Sequence, residues 1–212
     1  MDKIRWGIIG PGSIAHNFAD ALKQAYSGEL ISIASRTSNK LEEFGNKYQI
    51  KNEFRFNDYD ALLENENIDA VYIATPHVFH ADLSIRAAGK GKHILCEKPG
   101  AVNFAEASRV IEKIKEAGVF YKEGFMYRCH PQIPELINII KQNTIGNIKH
   151  ITSSFGFDMQ KVIPDHRLFN KKLAGGAILD VGLYPVSLSR MVAGAAVGKK
   201  FINPISISAK AR

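Results

Sequence analysis

Several short stretches of the sequence set reactive or phosphate-compatible groups where a turn of the chain would present them. The first is Gly10-Pro11-Gly12-Ser13-Ile14-Ala15, a GxGxxA run entered from an apolar stretch and followed by a helical pattern. Its first glycine permits a tight turn, Gly12 removes the Cβ that would block a pyrophosphate, and Ala15 lets helix and strand pack closely. With a strand before it, a helix after it and a second strand next, this run predicts a dinucleotide site in which Ser13 and Ile14 open the helix. The second stretch is Ser35-Arg36-Thr37, with no acid until Glu42. A ribose-binding carboxylate is the usual residue at this place and would repel a 2′-phosphate. Arg36 would pair with that phosphate and could stack on the adenine, while Ser35 and Thr37 could donate hydrogen bonds. NADP is therefore expected over NAD, the plainer alternative being a surface arginine in a turn.

The third stretch, Thr75-Pro76-His77, ends another apolar run, and strand ends on that side form the cofactor crevice. His77 and His80 have the spacing of a metal pair, but no third ligand lies near them in sequence, so no metal is expected. The remaining histidines His16, His93 and His150 read as structural or exposed. The fourth stretch is Glu97-Lys98-Pro99, where a charged lysine directly before a proline closes a short apolar run. A lysine ending a strand is ordinarily solvated, and its place before a proline in this pattern is what singles it out.

The elements that would position these groups alternate. Apolar runs at 4–9, 29–35, 69–75 and 93–98, with shorter ones in EFRF (53–56) and VFYKEGF (119–125), read as strands. Between them, 13–26, NKLEEFGNKY, YDALLEN, FHADLSIRAAGKG and 104–118 carry helical periodicity. Strands apolar on both faces and separated by helices predict an α/β fold, a doubly wound parallel sheet covered on both sides. After residue 124 the pattern changes. QIPELINIIKQN reads as a helix, 146–158 as a long strand, 175–194 as a helix entered through glycines, and 203–212 as a strand. These predict an incomplete α+β domain over 125–212 beside a nucleotide-binding domain over 1–124.

Composition excludes more than it proposes. A chain that is 45% hydrophobic and 23% charged is ordinary for a globular protein, and no apolar run approaches a membrane span. Two cysteines without CxxC spacing give neither a disulfide framework nor a structural zinc site. A cytoplasmic protein is expected, without targeting or membrane attachment. The net charge of +7 is uneven: residues 1–124 carry 16 Lys+Arg against 17 Asp+Glu, and residues 125–212 carry 12 against 4. The excess is scattered, with no basic stretch interleaved with aromatics, so a nucleic-acid partner is not expected.

Taken in order, GxGxxA, Ser35-Arg36, ATPHVFHAD, CEKPGAVN, EGFMYRCHPQ and GGAILDVGLYPVSLSRMV resemble the glucose-fructose oxidoreductase/inositol dehydrogenase (Gfo/Idh/MocA) family. The likeness is greatest to its NADP-dependent dihydrodiol and D-xylose dehydrogenase branch, and it covers nearly the whole chain. It implies an N-terminal Rossmann domain and an NADP-dependent oxidoreductase acting on a sugar, polyol or diol. It also implies that Lys98 sits at the hydride-transfer centre, commonly with a cis bond before the proline. The family places an Asp four residues before a His or Tyr on a helix of the second domain, here Asp180 and Tyr184. A neutral tyrosine with a pKa of about 10 is a poor base unless its anion is stabilised, and a nearby ammonium lowers that pKa. Asp180 and Tyr184, four apart, would share one helical face, with Asp180 reaching the substrate or orienting the lysine.

Arg128 either binds substrate hydroxyls or braces the chain. Cys129 and His130, being adjacent, would not face each other as a nucleophile pair and read as structural or substrate-lining. His166 and Asn170 are weaker candidates for the pocket. Relatives of this family are longer, with a mostly antiparallel second-domain sheet that commonly forms a homodimer interface, so a C-terminally truncated chain is expected. Two other functions stay open. One is a hydrolase of the same fold on a tightly held NAD, which Arg36 argues against; the other is a nucleotide-binding module without turnover.

Overall fold

Consecutive residues of an extended chain point to opposite faces, so a strand apolar at every position needs cover on both sides. The computed structural model, which describes residues 3–163 and 165–210, shows this arrangement. Strands β1 (Ile4–Ile9), β2 (Gly28–Ala34), β3 (Arg55–Phe56), β4 (Ala70–Ile73), β5 (His93–Cys96) and β6 (Tyr121–Glu123) form one sheet, ordered β3-β2-β1-β4-β5-β6. Every neighbouring pair is parallel. Helices α1 (Ser13–Leu22), α2 (Ser38–Lys47), α3 (Tyr59–Glu64), α4 (His80–Gly89) and α5 (Phe104–Ala117) make the crossovers.

The two faces are filled by successive residues of the same strands. Ile8, Ile33 and Tyr72 pack with Ala15, Ala19, Leu41 and Phe44 on one side. Ile9, Ala34 and Ile73 pack with Leu62, Leu63, Leu83 and Ala87 on the other. Local signals set the helix ends. The Asp58 carboxylate accepts from Ala61 N at 3.1 Å to start α3, and Asn103 accepts from Glu106 N at 2.9 Å to start α5, which stops at Gly118 with φ 65°. Only Arg55 and Phe56 of the expected strand 53–56 are paired, because Asn52–Phe54 coil into a 3₁₀ turn ahead of them.

The chain divides into two compact units, residues 1–124 with Asn170–Ala174, and residues 125–169 with 175–212. The second holds α6 (Gln132–Lys141) and α7 (Leu183–Ala196), with Ile140, Met191 and Ala195 buried. Two expectations fail here. Residues 146–158 and 203–210 are in no strand, and no described residue after Glu123 is. The alternation is real, with Phe155 and Phe157, and Ile205 and Ile207, left exposed. An extended segment becomes a strand only when a neighbour completes its ladder, which periodicity alone does not supply. Ala211 and Arg212, the end of the second expected strand, lie outside the described residues. The helix expected over 175–194 begins instead as a π turn, Ile178–Gly182, ahead of α7.

No helix among the described residues is long and apolar enough to cross a membrane. At the base of the sheet, Arg5, the second residue of β1, has its backbone N–H and its guanidinium both on Asp69, the residue before β4. The hydrogen bond from Arg5 is the main cause holding the Asp69 carboxyl below its ordinary pKa. A depressed carboxyl stabilises the fold above its unfolded pKa of about 3.9 and ceases to do so as pH falls through its folded value. Arg5→Met is therefore expected to lower the urea midpoint at pH 7, with the gap from wild type closing below about pH 4.

Candidate active site

In a parallel sheet all strands end on the same edge, and a crevice opens where the strand order reverses. Here that point lies between β1 and β4. Beyond β1, Gly10 has φ +93°, and a Cβ there would stand 3.1 Å from the Ala74 carbonyl oxygen and 3.0 Å from Thr75 Cγ2. Both the left-handed backbone and the close approach require glycine. Gly12 starts α1 without a side-chain cap, and Gly12, Ser13 and Ile14 are exposed. The leading N–H groups of an α-helix have no partner within it and carry the positive end of its dipole, which suits an anion.

At the end of β2 the expected roles divide. Ser35 is buried, and its hydroxyl donates to the Thr37 carbonyl at 3.2 Å and accepts from Thr37 N at 3.1 Å. Ser35 thus builds the turn that carries Arg36. That turn leaves Arg36 and Thr37 exposed. The Arg36 guanidinium lies 4.9 Å from the Phe79 ring centroid and 5.6 Å from that of Tyr59, so two aromatic rings orient it. Sequence reasoning missed both rings: Tyr59 falls in a segment that reads as helix, and Phe79 in the stretch singled out for Thr75, Pro76 and His77.

Beyond β4, Thr75 and His77 are buried and Pro76 is partly so. Thr75 Oγ1 is enclosed and has no hydrogen-bond partner among the described residues. An orphaned buried hydroxyl is costly and signals a missing polar group. Together with the uncapped start of α1, it is what a bound dinucleotide would satisfy. Among the described residues no cluster of His, Cys, Asp or Glu is placed to hold a metal.

The turn after β5 is held at successive residues. The Tyr72 hydroxyl donates to Glu97 Oε1 at 2.6 Å, and the other carboxylate oxygen of Glu97 accepts from Lys98 N at 3.3 Å. The Pro99 carbonyl meets His80 Nδ1 at 2.7 Å, and Gly100 N donates to Glu123 Oε1 at 2.7 Å. Burial, with Glu97 beside it, raises the Tyr72 pKa far above its ordinary value, so the hydroxyl stays a donor. Burial likewise pushes the Cys96 thiol up to about 12, which makes it an inert core residue. The Lys98–Pro99 bond is cis and Lys98 is partly buried. The sequence does not mark Tyr72, His80, Glu123 and Gly100 as site residues because what they hold is the turn around Lys98, at Glu97, Pro99 and Gly100, which no motif displays.

In the second unit Asp180 is 5% exposed and accepts from Arg167 Nη1 at 3.2 Å. Leu183 N bonds to the Ile178 carbonyl, the wider π register, two residues ahead of Pro185, which has no N–H to continue an α ladder. Asp180 therefore lies on a π turn and Tyr184 on α7, not on one regular α-helix. The Tyr184 ring meets Phe125, Tyr127 and Phe155 edge-on, with centroids 5.7, 5.9 and 5.4 Å away. Arg128 donates to Ser187 Oγ at 2.8 Å, and Tyr127 OH bonds the same atom at 2.8 Å, so Arg128 is braced by α7. His166 Nδ1 accepts from Leu168 N at 3.4 Å and Asn170 from Lys172 N at 2.9 Å, which makes both turn-forming residues.

Residues 4–125 match the family described as "Oxidoreductase family, NAD-binding Rossmann fold", and residues 134–201 match its C-terminal domain. Trans-1,2-dihydrobenzene-1,2-diol dehydrogenase of Mus musculus is 36% identical over 91% of this chain and 57% of its own length. D-xylose 1-dehydrogenase (NADP(+)) 2 of Haloferax volcanii is 34% identical over 89% of this chain and 57% of its own. The chain thus spans little more than half the length of these curated relatives. Among solved structures, a 3-ketoreductase of Actinomadura kijaniata in complex with NADP and TDP-benzene superposes with a TM-score of 0.80 at 31% identity, covering 91% of this chain and 58% of that one.

The turn that carries Lys98 gives a direct packing test. A Cβ at position 100 would collide with the Tyr121 hydroxyl. Gly100→Ala is expected to cost about 1–3 kcal/mol in urea unfolding, and Tyr121→Phe in the same chain should recover part of that loss.

Proposed function

The chain belongs to the Gfo/Idh/MocA family of oxidoreductases, and on that premise we propose that it serves an NADP-dependent transfer of hydride to or from a carbinol carbon of a sugar, polyol or diol. The observation that carries this reading is the company Lys98 keeps. Its pinned turn ends β5, the strand beside β4, on the sheet edge where Gly10 and Gly12 open α1 and where Thr75 Oγ1 lacks a partner among the described residues.

The residues fit the cofactor. The N-terminus of α1 with Gly12, Ser13 and Ile14 would hold the pyrophosphate, and Arg36 with Thr37 the 2′-phosphate. Thr75, Pro76, His77 and the Glu97–Lys98 turn would line the nicotinamide end. The nicotinamide, when bound, accepts or returns the hydride. What remains for the protein is the hydroxyl proton and the charge on the oxygen it leaves. We assign proton exchange to the Tyr184 hydroxyl, and to the Lys98 ammonium the stabilisation of negative charge on the substrate oxygen. Asp180, held by Arg167, supports the substrate hydroxyls, and Arg128 contributes from beside α7. A dihydrodiol dehydrogenase and an NADP-dependent xylose dehydrogenase among the relatives support an alcohol on a ring or sugar as substrate. We read the protein as cytoplasmic, and the whole protein as a homodimer.

Purified protein assayed for NADP reduction across a panel of sugars and diols tests the chemistry. Tyr184→Phe and Lys98→Met are each expected to lower kcat by roughly 10²–10⁴-fold, and activity surviving both would overturn the assignment. Cofactor choice is read separately, by fluorescence titration. Arg36→Ala is expected to reduce the preference for NADP over NAD by about tenfold or more, the worth of one charge-assisted hydrogen bond.

A further inference from the structure

His80 opens α4, is 0% exposed, and has both ring nitrogens against backbone carbonyls. Nδ1 lies 2.7 Å from the Pro99 oxygen and Nε2 lies 2.7 Å from the Thr75 oxygen. A neutral imidazole has one N–H, and its other nitrogen is a bare acceptor. Whichever tautomer a neutral ring took, one contact would set a nitrogen lone pair against a carbonyl lone pair at hydrogen-bond distance, in a place water does not reach. Only the doubly protonated ring donates to both, and 2.7 Å is the short distance of charge-assisted bonds.

The surroundings divide over this charge. Burial acts against it and is the largest influence, lowering the ring's pKa; the two carbonyls and the carboxylates of Glu97 and Glu123 act for it. The His77 ring also lies against it, with centroids 5.9 Å apart. Loss of water alone would favour the neutral ring. That cost, however, is set against an alternative that is itself unfavourable, since a neutral ring forfeits one bond and gains a repulsion.

We propose that His80 is a buried imidazolium acting as a positioning residue: it ties the Pro99 carbonyl, next to Lys98, to the Thr75 carbonyl at the end of β4. The turn after β5 is thereby fixed to the strand end that lines the crevice, and loss of the second proton releases one of the two. The positioning role rests on the reading of Lys98 and Thr75 given above, whereas the charge does not.

The test uses the full chain labelled with ¹⁵N in histidine, without cofactor. At about pH 8, well above the ordinary histidine pKa of about 6.5, one ring is expected to show a proton on each nitrogen. Replacing the other histidines one at a time identifies that ring as His80 without touching it. A His80 ring with one protonated and one bare nitrogen would overturn the charge. For positioning, His80→Gln keeps the bulk but turns an amide oxygen toward one carbonyl. It is expected to weaken NADP binding roughly tenfold and to remove the loss of affinity that wild type shows as its His80 deprotonates. Binding and pH profile both equal to wild type would overturn positioning. Wild-type protein that binds no NADP would sink the functional reading and the positioning role that rests on it, and the ring nitrogens would still decide the charge.

Discussion

The N-terminal unit depends on one constraint of its parallel sheet: every strand ends on the same edge, so every loop that follows a strand competes for that edge. The strand order β3-β2-β1-β4-β5-β6 resolves this by sending crossovers to both faces from the centre. The loops after β1 and β4 then part instead of colliding, and the gap between them is the crevice. Small residues keep it open. At Gly10 any Cβ would close on Ala74 and Thr75, and at Gly12 the nearest atom to a Cβ is the Ala74 oxygen, 3.8 Å off, leaving room in front of α1.

The turn after β5 answers a different demand, which is to hold a lysine in place without enclosing it. Its backbone is fixed from three sides, by Tyr72 on β4 through Glu97, by His80 on α4 through Pro99, and by Glu123 on β6 through Gly100. Each bond to a charged group is worth about 1.5–3 kcal/mol, and each would cost its desolvation penalty if a partner were lost. Ordering the turn is therefore a property of the folded sheet, already present before any ligand arrives. The same logic operates on Arg36, whose turn is made by Ser35 and whose direction is set by Phe79 and Tyr59.

What could be read from sequence was whatever depends on neighbours in the chain. The alternation of strands and helices, the GxGxxA turn and the placing of Arg36 at a strand end all follow from local pattern. What could not be read depends on distant partners. His80 suggested only an incomplete metal pair, since nothing local shows that carbonyls 5 and 19 residues away converge on its ring. Residues 146–158 alternate like a strand and form none, because the ladder requires a neighbour that periodicity does not contain. Pro185 is the intermediate case: a proline suited to the first turn of a helix was visible, and the π turn ahead of α7 was not.

The charges around the crevice show why it can suit an anion although residues 1–124 carry no positive excess. Residues 1–124 hold one more carboxylate than they hold cations. Two acids that hold the Lys98 turn are engaged by uncharged donors, Glu97 by the Tyr72 hydroxyl and Glu123 by the Gly100 N–H. A carboxylate bonded to a neutral donor keeps its charge. Arg36 is held by aromatic rings, and the start of α1 is left without an acidic cap. Attraction for a dinucleotide would then be a short-range matter of where N–H groups and single cations point, which an overall charge does not reveal.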